Sequence, residues 1–400
     1  VFSQYFWPER FLINELVSAI NHRGHEVSVV TGQPNFPHGE IFPGYRRFSF
    51  RRERWNNVSI QRVALWPRGA SAASLIMNYA SFIVSGCIAA PWLYRKSRPD
   101  VILVFAPSPI FQAIPAIFLA KLRGIPVVLW VQDLWPEVLS ATGVVKHPLL
   151  LALVGRAVTW VYSCTDRILI QSEAFREPVA QRAGSKKEID YAPNLIRDIP
   201  MPMELPDSVL QHVHRMQHQC AVVFAGTLGR AQGVETLLAA AQLLPKDSKI
   251  HFYVAGSGGE AGSLRAKAKE LGLGNVSFLG EVEPQWMPAL FNAAKATLLL
   301  LLDDPDLSRT VPSKLQAYLC AGRPVLVSAS GQAAELVRGA GCGLVCLPER
   351  PVELAALIRT FEAASLDQHA EMGARARALF ESQFDLSRCV DRFVDKLRFP

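Results

Sequence analysis

The run from Ala296 to Val327 constrains the fold more than any other stretch. Ala296 to Leu302 is apolar and strand-like, Asp303 to Asp306 is an acidic loop, and Pro312 to about Ala321 reads as a helix stopped by Gly322 and Pro324. Proline suits a first helical turn because its missing N–H would be unpaired there anyway, and glycine suits the C-terminal cap. Val325 to Val327 then reads as a buried strand. A strand–helix–strand unit of this kind is the building block of a doubly wound α/β sheet. It also places Ser313 and Lys314 at a helix N-terminus, with Gln316 one turn on. Free amides, a helix dipole and an ammonium there suit a phosphorylated ligand, although a surface turn with a solvated lysine has the same composition.

The same rhythm recurs through both halves of the chain. Val1 to Ser3 reads as a strand end, Leu12 to His22 as an amphipathic helix closed by Gly24, and Glu26 to Thr31 as a strand. Further strands are expected at Val58 to Ala64, Asp100 to Phe105, Pro126 to Val131, Arg167 to Gln171 and Ile189 to Ala192, with a helix from Ile110 to Arg123. Ligand sites in open α/β sheets lie at the carboxyl ends of strands. Asp133, just past one such end, is therefore a candidate acid, base or hydroxyl-binding group, or else the cap of the next turn. Residues 196–219 are rich in Pro, Met, His and Gln and lack a strand pattern, so they read as a connection. The second half restarts with a strand at Ala221 to Ala225, then Gly226, Thr227, Gly229 and Gly233 before a helix. Glycines there let the backbone approach a pyrophosphate, and Arg230 could donate to it with two bonds; an ordinary tight turn is the alternative. The next strand, Lys249 to Ala255, is followed by Gly256, Ser257, Gly258 and Gly259.

Length and charge bound the rest. Four hundred residues exceed one ordinary core, so two domains are expected. Residues 1–200 carry 22 Lys and Arg against 14 Asp and Glu, a net of +8, whereas the remainder is close to neutral. Between Ile41 and Ala70, Arg46, Arg47, Arg51, Arg52, Arg54, Arg62 and Arg68 face only Glu53. Such a patch suits a phosphorylated acceptor or an anionic membrane surface. No zinc-ligand spacing or aromatic-interleaved basic motif points to nucleic acid. The seven cysteines are scattered and read as core residues of a reducing compartment. No secretory signal is read at Val1, which opens like a strand short of its leading residues. The apolar run Ala73 to Tyr94, flanked by Arg68 and by Arg95, Lys96 and Arg98, reads as a core helix or one lying in a membrane interface.

Taken together, QYFWPE, RGHEVSVVTGQPNFP, WVQDLWPE, FAGTLGRAQGVETLLAAA, VAGSGGE, NVSFLGEVE and VPSKLQAYLCAGRPVL resemble, in order and spacing, the GT-B-fold glycosyltransferase family 4. The resemblance covers essentially the whole chain. It is closest to a bacterial O-antigen and capsule subgroup that includes N-acetyl-L-fucosamine transferases and colanic-acid-type transferases. It implies an α/β chain of two Rossmann-like doubly wound domains facing a cleft. The expected division is an acceptor domain over 1–195, a linker over 196–219, a donor domain over 220–380 and a helix over 381–400 that crosses back.

The implied chemistry is retaining transfer from a UDP-sugar, without a metal or other cofactor, to a lipid-linked saccharide at the inner face of the cytoplasmic membrane. An N-acetylated deoxyhexosamine such as L-FucNAc is the implied sugar. The resemblance assigns catalysis to Arg230, Lys314 and Asp133. Donor binding falls to Gly226, Thr227, Gly229, Gly256, Ser257, Pro312, Ser313, Leu315, Gln316 and Asp306. Glu9, Arg46, Arg47, Arg51, Arg52 and Arg54 would meet the acceptor or the membrane. The chain departs from the family pattern where two carboxylates are usual, at Arg309 and Ala317, and where cations are usual, at Thr227 and Gln232. The rival readings are a UDP-sugar epimerase of the same build and a non-catalytic membrane scaffold.

Overall fold

A computed structural model describes residues 1–69, 71–95, 98–141 and 147–399. Ala70 and Lys96, which bound two of the segments discussed above, lie outside the described residues. The chain divides into two units, one of Val1–Leu195 with Leu386–Pro400 and one of Ile196–Asp385.

The first unit is built on one sheet. Its strands are β1 (Ser28–Thr31), β2 (Arg51–Trp55), β3 (Val58–Arg62), β4 (Ile102–Ala106), β5 (Val127–Val131), β6 (Arg167–Ile170) and β7 (Glu188–Tyr191). They run in the order β2-β3-β1 and β4-β5-β6-β7, and Phe2 bridges the two groups by pairing in parallel with Val30 and with Val104. Every ladder is parallel except β2 with β3 at the edge. β4 (ILVFA) and β5 (VVLWV) are buried at every position, as a central parallel strand covered on both faces must be. The helices are α1 (Leu12–His22), α2 (Ala72–Leu93), α3 (Ile114–Arg123), α4 (Glu137–Ala141), α5 (Pro148–Ser163) and α6 (Arg176–Ala183).

Strand alternation sorts these helices into two layers. Ile102, Val104, Val127, Leu129, Ile168 and Ile170 point to one face, where α2, α3, α5 and α6 pack. Leu103, Phe105, Val128, Trp130 and Leu169 point to the other, which is covered by α1 and the C-terminal helix Leu386–Asp395.

The second unit holds a six-stranded, all-parallel sheet. Its strands are β8 (Cys220–Ala225), β9 (Ile250–Ala255), β10 (Val276–Gly280), β11 (Ala296–Leu300), β12 (Val325–Ser328) and β13 (Gly343–Cys346), in the order β10-β9-β8-β11-β12-β13. The order reverses direction between β8 and β11, which makes a switch point where a crevice forms at the strands' carboxyl ends. The helices are α7 (Asp207–Gln217), α8 (Val234–Gln242), α9 (Ala261–Glu270), α10 (Met287–Ala293), α11 (Pro305–Arg309), α12 (Ser313–Cys320), α13 (Gln332–Ala340), α14 (Pro351–Ala363) and α15 (Leu366–Gln383).

Two local readings of the sequence change. Residues 196–219, read as a connection, lie in the second unit and contain α7. The helix buries Val209, Val213 and Met216, an i, i+4, i+7 stripe among polar residues whose composition hides it. The basic segment is not uniformly a surface patch either. Arg51 to Trp55 forms strand β2, and Arg62 is buried, bonding to Glu53, to the carbonyl of Gly32 at 2.9 Å and to that of Trp7. Alternation along β3 turns Arg62 inward, where burial of a guanidinium demands partners on every side.

Candidate active site

The second unit contains a cavity of about 770 Å³ at the carboxyl ends of β8, β9 and β10. Its rim is made by the turns after these strands. Gly226 follows β8 with φ 151° and Gly256 follows β9 with φ 141°, a region that excludes side-chain-bearing residues. The freedom is used for close approach: a Cβ on Gly256 would stand 1.9 Å from the carbonyl oxygen of Gly226. Backbone bonds hold the turns in a stack, Gly226 N–H to Ala255 O at 3.0 Å and Gly256 N–H to Gly280 O at 2.7 Å. Thr227 and Ser257 complete this rim. The Tyr318 hydroxyl clamps the end of β8 from beneath, donating to Ala225 O at 3.0 Å and accepting from Ala225 N–H at 2.8 Å.

One wall is the helix α12. Pro312 stands at its N-cap and no side chain caps it; the Leu315 N–H turns back to Pro312 O at 2.9 Å, which leaves the amides of Ser313 and Lys314 as the ones without an intrahelical partner. Lys314, Ala317, Cys320 and Ala321 face the cavity in succession. The Lys314 ammonium lies 4.5 Å from the centre of the Phe224 ring, donates to Gln232 Oε1 and passes close over Gly226. Burial lowers its pKa to about 8. The far end is polar. Asp198 pairs with Arg377 and accepts from Cys320 Sγ at 3.1 Å, and Glu281 accepts from Ser257 Oγ at 3.3 Å.

Of the residues singled out in the sequence, Gly226, Thr227, Gly256, Ser257 and Lys314 line this cavity together. The others do not. Arg230 is exposed in the short turn Arg230–Gln232 and is not a lining residue. Gly229 caps that turn, Ser313 is exposed and Pro312 precedes the helix. Leu315 and Gln316 are buried and do not line the cavity. Asp306 sits in α11 and pairs with Arg309 at 3.3 Å. Leu315 and Gln316 are turned about 100° and 200° from Lys314 around the helix axis, which carries both away from the cavity.

The sequence reading missed Asp198, Glu281, Tyr318 and Arg377, which come from elements far apart in the chain. The one available signal was the i, i+3, i+6 spacing of Lys314, Ala317 and Cys320, which marks the face of α12.

The first unit places its own candidates separately. Asp133 follows β5 and is half-buried; its Oδ2 accepts from Ser108 Oγ at 2.8 Å, and burial raises its pKa. Glu9 is buried, and its carboxylate accepts from the amides of Asn35 at 2.8 Å, Phe36 at 2.7 Å and Phe6 at 3.3 Å. Burial nevertheless raises its pKa to about 6. Its present role is to pin the loop after β1. Arg46, Arg47, Arg51, Arg52 and Arg54 are all exposed.

Residues 12–194 match the family described as glycosyl transferase 4-like domain, and residues 215–379 match the family described as glycosyl transferases group 1. The chain is similar to the colanic acid biosynthesis glycosyl transferase WcaI of Escherichia coli (strain K12), with 24% identity over 397 residues, covering 96% of this chain and 94% of that one. Its fold is similar to that of sucrose-phosphate synthase from Thermosynechococcus elongatus, with a TM-score of 0.73 and 16% identity over 96% of this chain and 91% of that one. It is also similar in fold to Anabaena Alr3699/HepE in complex with UDP and glucose, with a TM-score of 0.67 and 17% identity over 99% and 98%.

Proposed function

We propose, of a chain that is a group 1, GT4-like glycosyltransferase, that it transfers a sugar from a UDP-sugar to a lipid-linked saccharide in surface-polysaccharide biosynthesis, retaining the anomeric configuration. The observation that carries this is Lys314 at the uncapped start of α12, set over the glycine turn of β8 inside a cavity large enough for a nucleoside diphosphate. The HepE structure that holds UDP and glucose has the same fold. The donor we propose is an N-acetylated deoxyhexosamine of the L-FucNAc type. Neither Arg309, paired with Asp306, nor Ala317 offers a carboxylate to grip further hydroxyls.

In this reading the bond between the sugar's anomeric carbon and the diphosphate oxygen breaks. Charge then develops on the leaving diphosphate, where the Lys314 ammonium and the first amides of α12 stabilise it. The acceptor hydroxyl forms the new bond on the same face of the sugar, and its proton passes to the leaving phosphate. Asp133 is the carboxyl of the first unit that we assign to the acceptor.

Calorimetry with UDP, GDP and dTDP in metal-free buffer tests the reading. UDP should bind most tightly of the three. Preference for GDP would redirect the donor assignment, and no nucleotide binding at all would overturn the reading.

Lys314 adds a pH signature. A diphosphate favours the ammonium, whose pKa in the free protein is about 8. Binding near that pH should therefore take up a proton, and affinity should fall as pH rises through about 8 while staying level at lower pH. Titrations in buffers of different ionisation enthalpy measure the uptake. A zero uptake would remove Lys314 from the phosphate site.

A further inference from the structure

The outer surface of α2, α3 and α5 has the wrong chemistry for a face that meets water. Along α2 the exposed positions are Ala73, Ile76, Met77, Ala80, Val84, Ile88 and Trp92, which form one stripe at steps of three or four residues with Ile76 and Met77 side by side. A stripe of this length covers about 30 Å at 1.5 Å per residue. Val84 is 58%, Ile88 69% and Trp92 58% exposed. Ordinary surface helices carry polar residues on that side. Next to α2, α3 exposes Phe118 and Leu122. Beyond it, α5 exposes Leu149, Leu153 and Trp160. The Lys121 ammonium of α3, 5.7 Å from the Trp160 ring, joins these two helices. All three helices cover the same face of the sheet, so their outer sides look the same way. Apolar surface on this scale exceeds what scattered surface residues explain.

The helix α2 is long and apolar enough to cross a bilayer by length and composition alone. Its inner side forbids that. Phe82, Ala89 and Ala90 belong to the core, and buried Asn78 accepts from Gln4 Nε2 at 2.6 Å and donates to Trp66 O at 2.6 Å. The helix is fixed on the unit with its other side outward, the placement of an interfacial helix.

Cations ring the apolar stripe. The Arg52 guanidinium lies 5.7 Å and that of Arg95 4.8 Å from the Trp92 ring. Arg47 lies between Phe48 and Trp66, both exposed, at 4.9 and 5.5 Å. Alternation along β2 puts Arg54 on the same side as Arg52, whereas Arg51 turns toward Glu53 and Tyr45. Arg156 stands among the exposed leucines of α5 and lines a cavity of about 520 Å³ with Leu151 and Ala152. Apolar centre, tryptophans at the border and arginines beside them match the layers of an anionic leaflet.

We propose that the α2–α3–α5 face docks in the plane of an anionic lipid bilayer, Val84, Ile88 and Trp92 entering the acyl boundary while Arg47, Arg52 and Arg54 meet the headgroups. This goes beyond the donor assignment and does not depend on it.

The full chain can be tested by sedimentation with vesicles. It should sediment with vesicles rich in phosphatidylglycerol and remain in solution with pure phosphatidylcholine. Combining Met77→Glu, Val84→Glu and Ile88→Glu should weaken that partition by about tenfold or more. UDP affinity, read on the other unit, should be unchanged. Brominated acyl chains should quench tryptophan emission, and less so in Trp92→Phe. Should the triple variant fail to fold, Arg52→Glu with Arg54→Glu alters only exposed side chains and should reduce both the binding and its salt sensitivity. Equal sedimentation of wild type and variants, or none with either lipid, would overturn the proposal. So would a concentration-dependent dimer abolished by the triple substitution, because a second copy would then cover the face.

Discussion

Replacing Lys314 by alanine is expected to lower kcat/KM by a hundredfold to a thousandfold, about 2.7–4 kcal/mol of transition-state stabilisation. The side chain is the cation that reaches the cavity from α12, beside amides that no side chain caps. Burial leaves its charge poorly hydrated and so lowers its pKa to about 8. A desolvated ammonium interacts strongly with an anion and has little water to give up when one arrives. Stability should move the other way. An unfolded lysine titrates near its ordinary value while the folded one titrates near 8, so between those values the unfolded chain holds the extra proton. Wild-type stability should therefore rise with pH across that window, and Lys314→Ala should lose the rise. Lys314→Arg should recover little activity, because the wider guanidinium must fit between Phe224, Gly226 and Gln232. Steady-state kinetics together with urea unfolding at several pH values separate these effects. Near-wild-type turnover in Lys314→Ala would exclude the assigned role.

Gly256→Ala should abolish nucleotide binding and cost several kcal/mol of stability. Two effects add. The backbone at φ 141° belongs to a region open essentially to glycine alone, with strain of about 1–3 kcal/mol for other residues. The new methyl would stand 1.9 Å from Gly226 O, and backbone, unlike a flexible side chain, cannot swing away. Relief requires parting the turns after β8 and β9, at a further cost of about 1–3 kcal/mol for overpacking. Those turns form the cavity rim, so a protein that survives should have lost its site. Gly259→Ala is the control, since its Cβ would meet nothing within 4 Å. Chemical denaturation and calorimetry on the pair measure the contrast. Equal stability of both variants would mean that the turns are not packed as described.

Arg230 shows where a motif reading reaches its limit. A cation in a glycine-rich turn after a strand is a reasonable phosphate ligand in sequence. The turn Arg230–Gln232 nevertheless leaves Arg230 exposed and outside the cavity lining, while neutral Gln232 reaches Lys314. Direction along a turn depends on backbone dihedrals that spacing does not encode. Gln316 fails for a simpler reason, since two positions along a helix is about 200° of rotation.

The sequence alone determined the strand–helix rhythm, because apolar runs as short as ILVFA, VVLWV and ATLLL suit strands buried on both faces, whereas the much longer apolar run of α2 suits a helix. It determined Lys314 at a helix start and the glycines opposite it, because prolines and glycines act through local backbone geometry. Only the tertiary structure decided which residues share the cavity, since Asp198, Glu281 and Arg377 converge from separate elements. It also decided that Arg62 is buried while Arg52 is exposed, and that Val84, Ile88 and Trp92 face outward while Phe82 and Ala90 face the core. An apolar run has no preferred side until a sheet takes one of them, and the side left over is a property of packing.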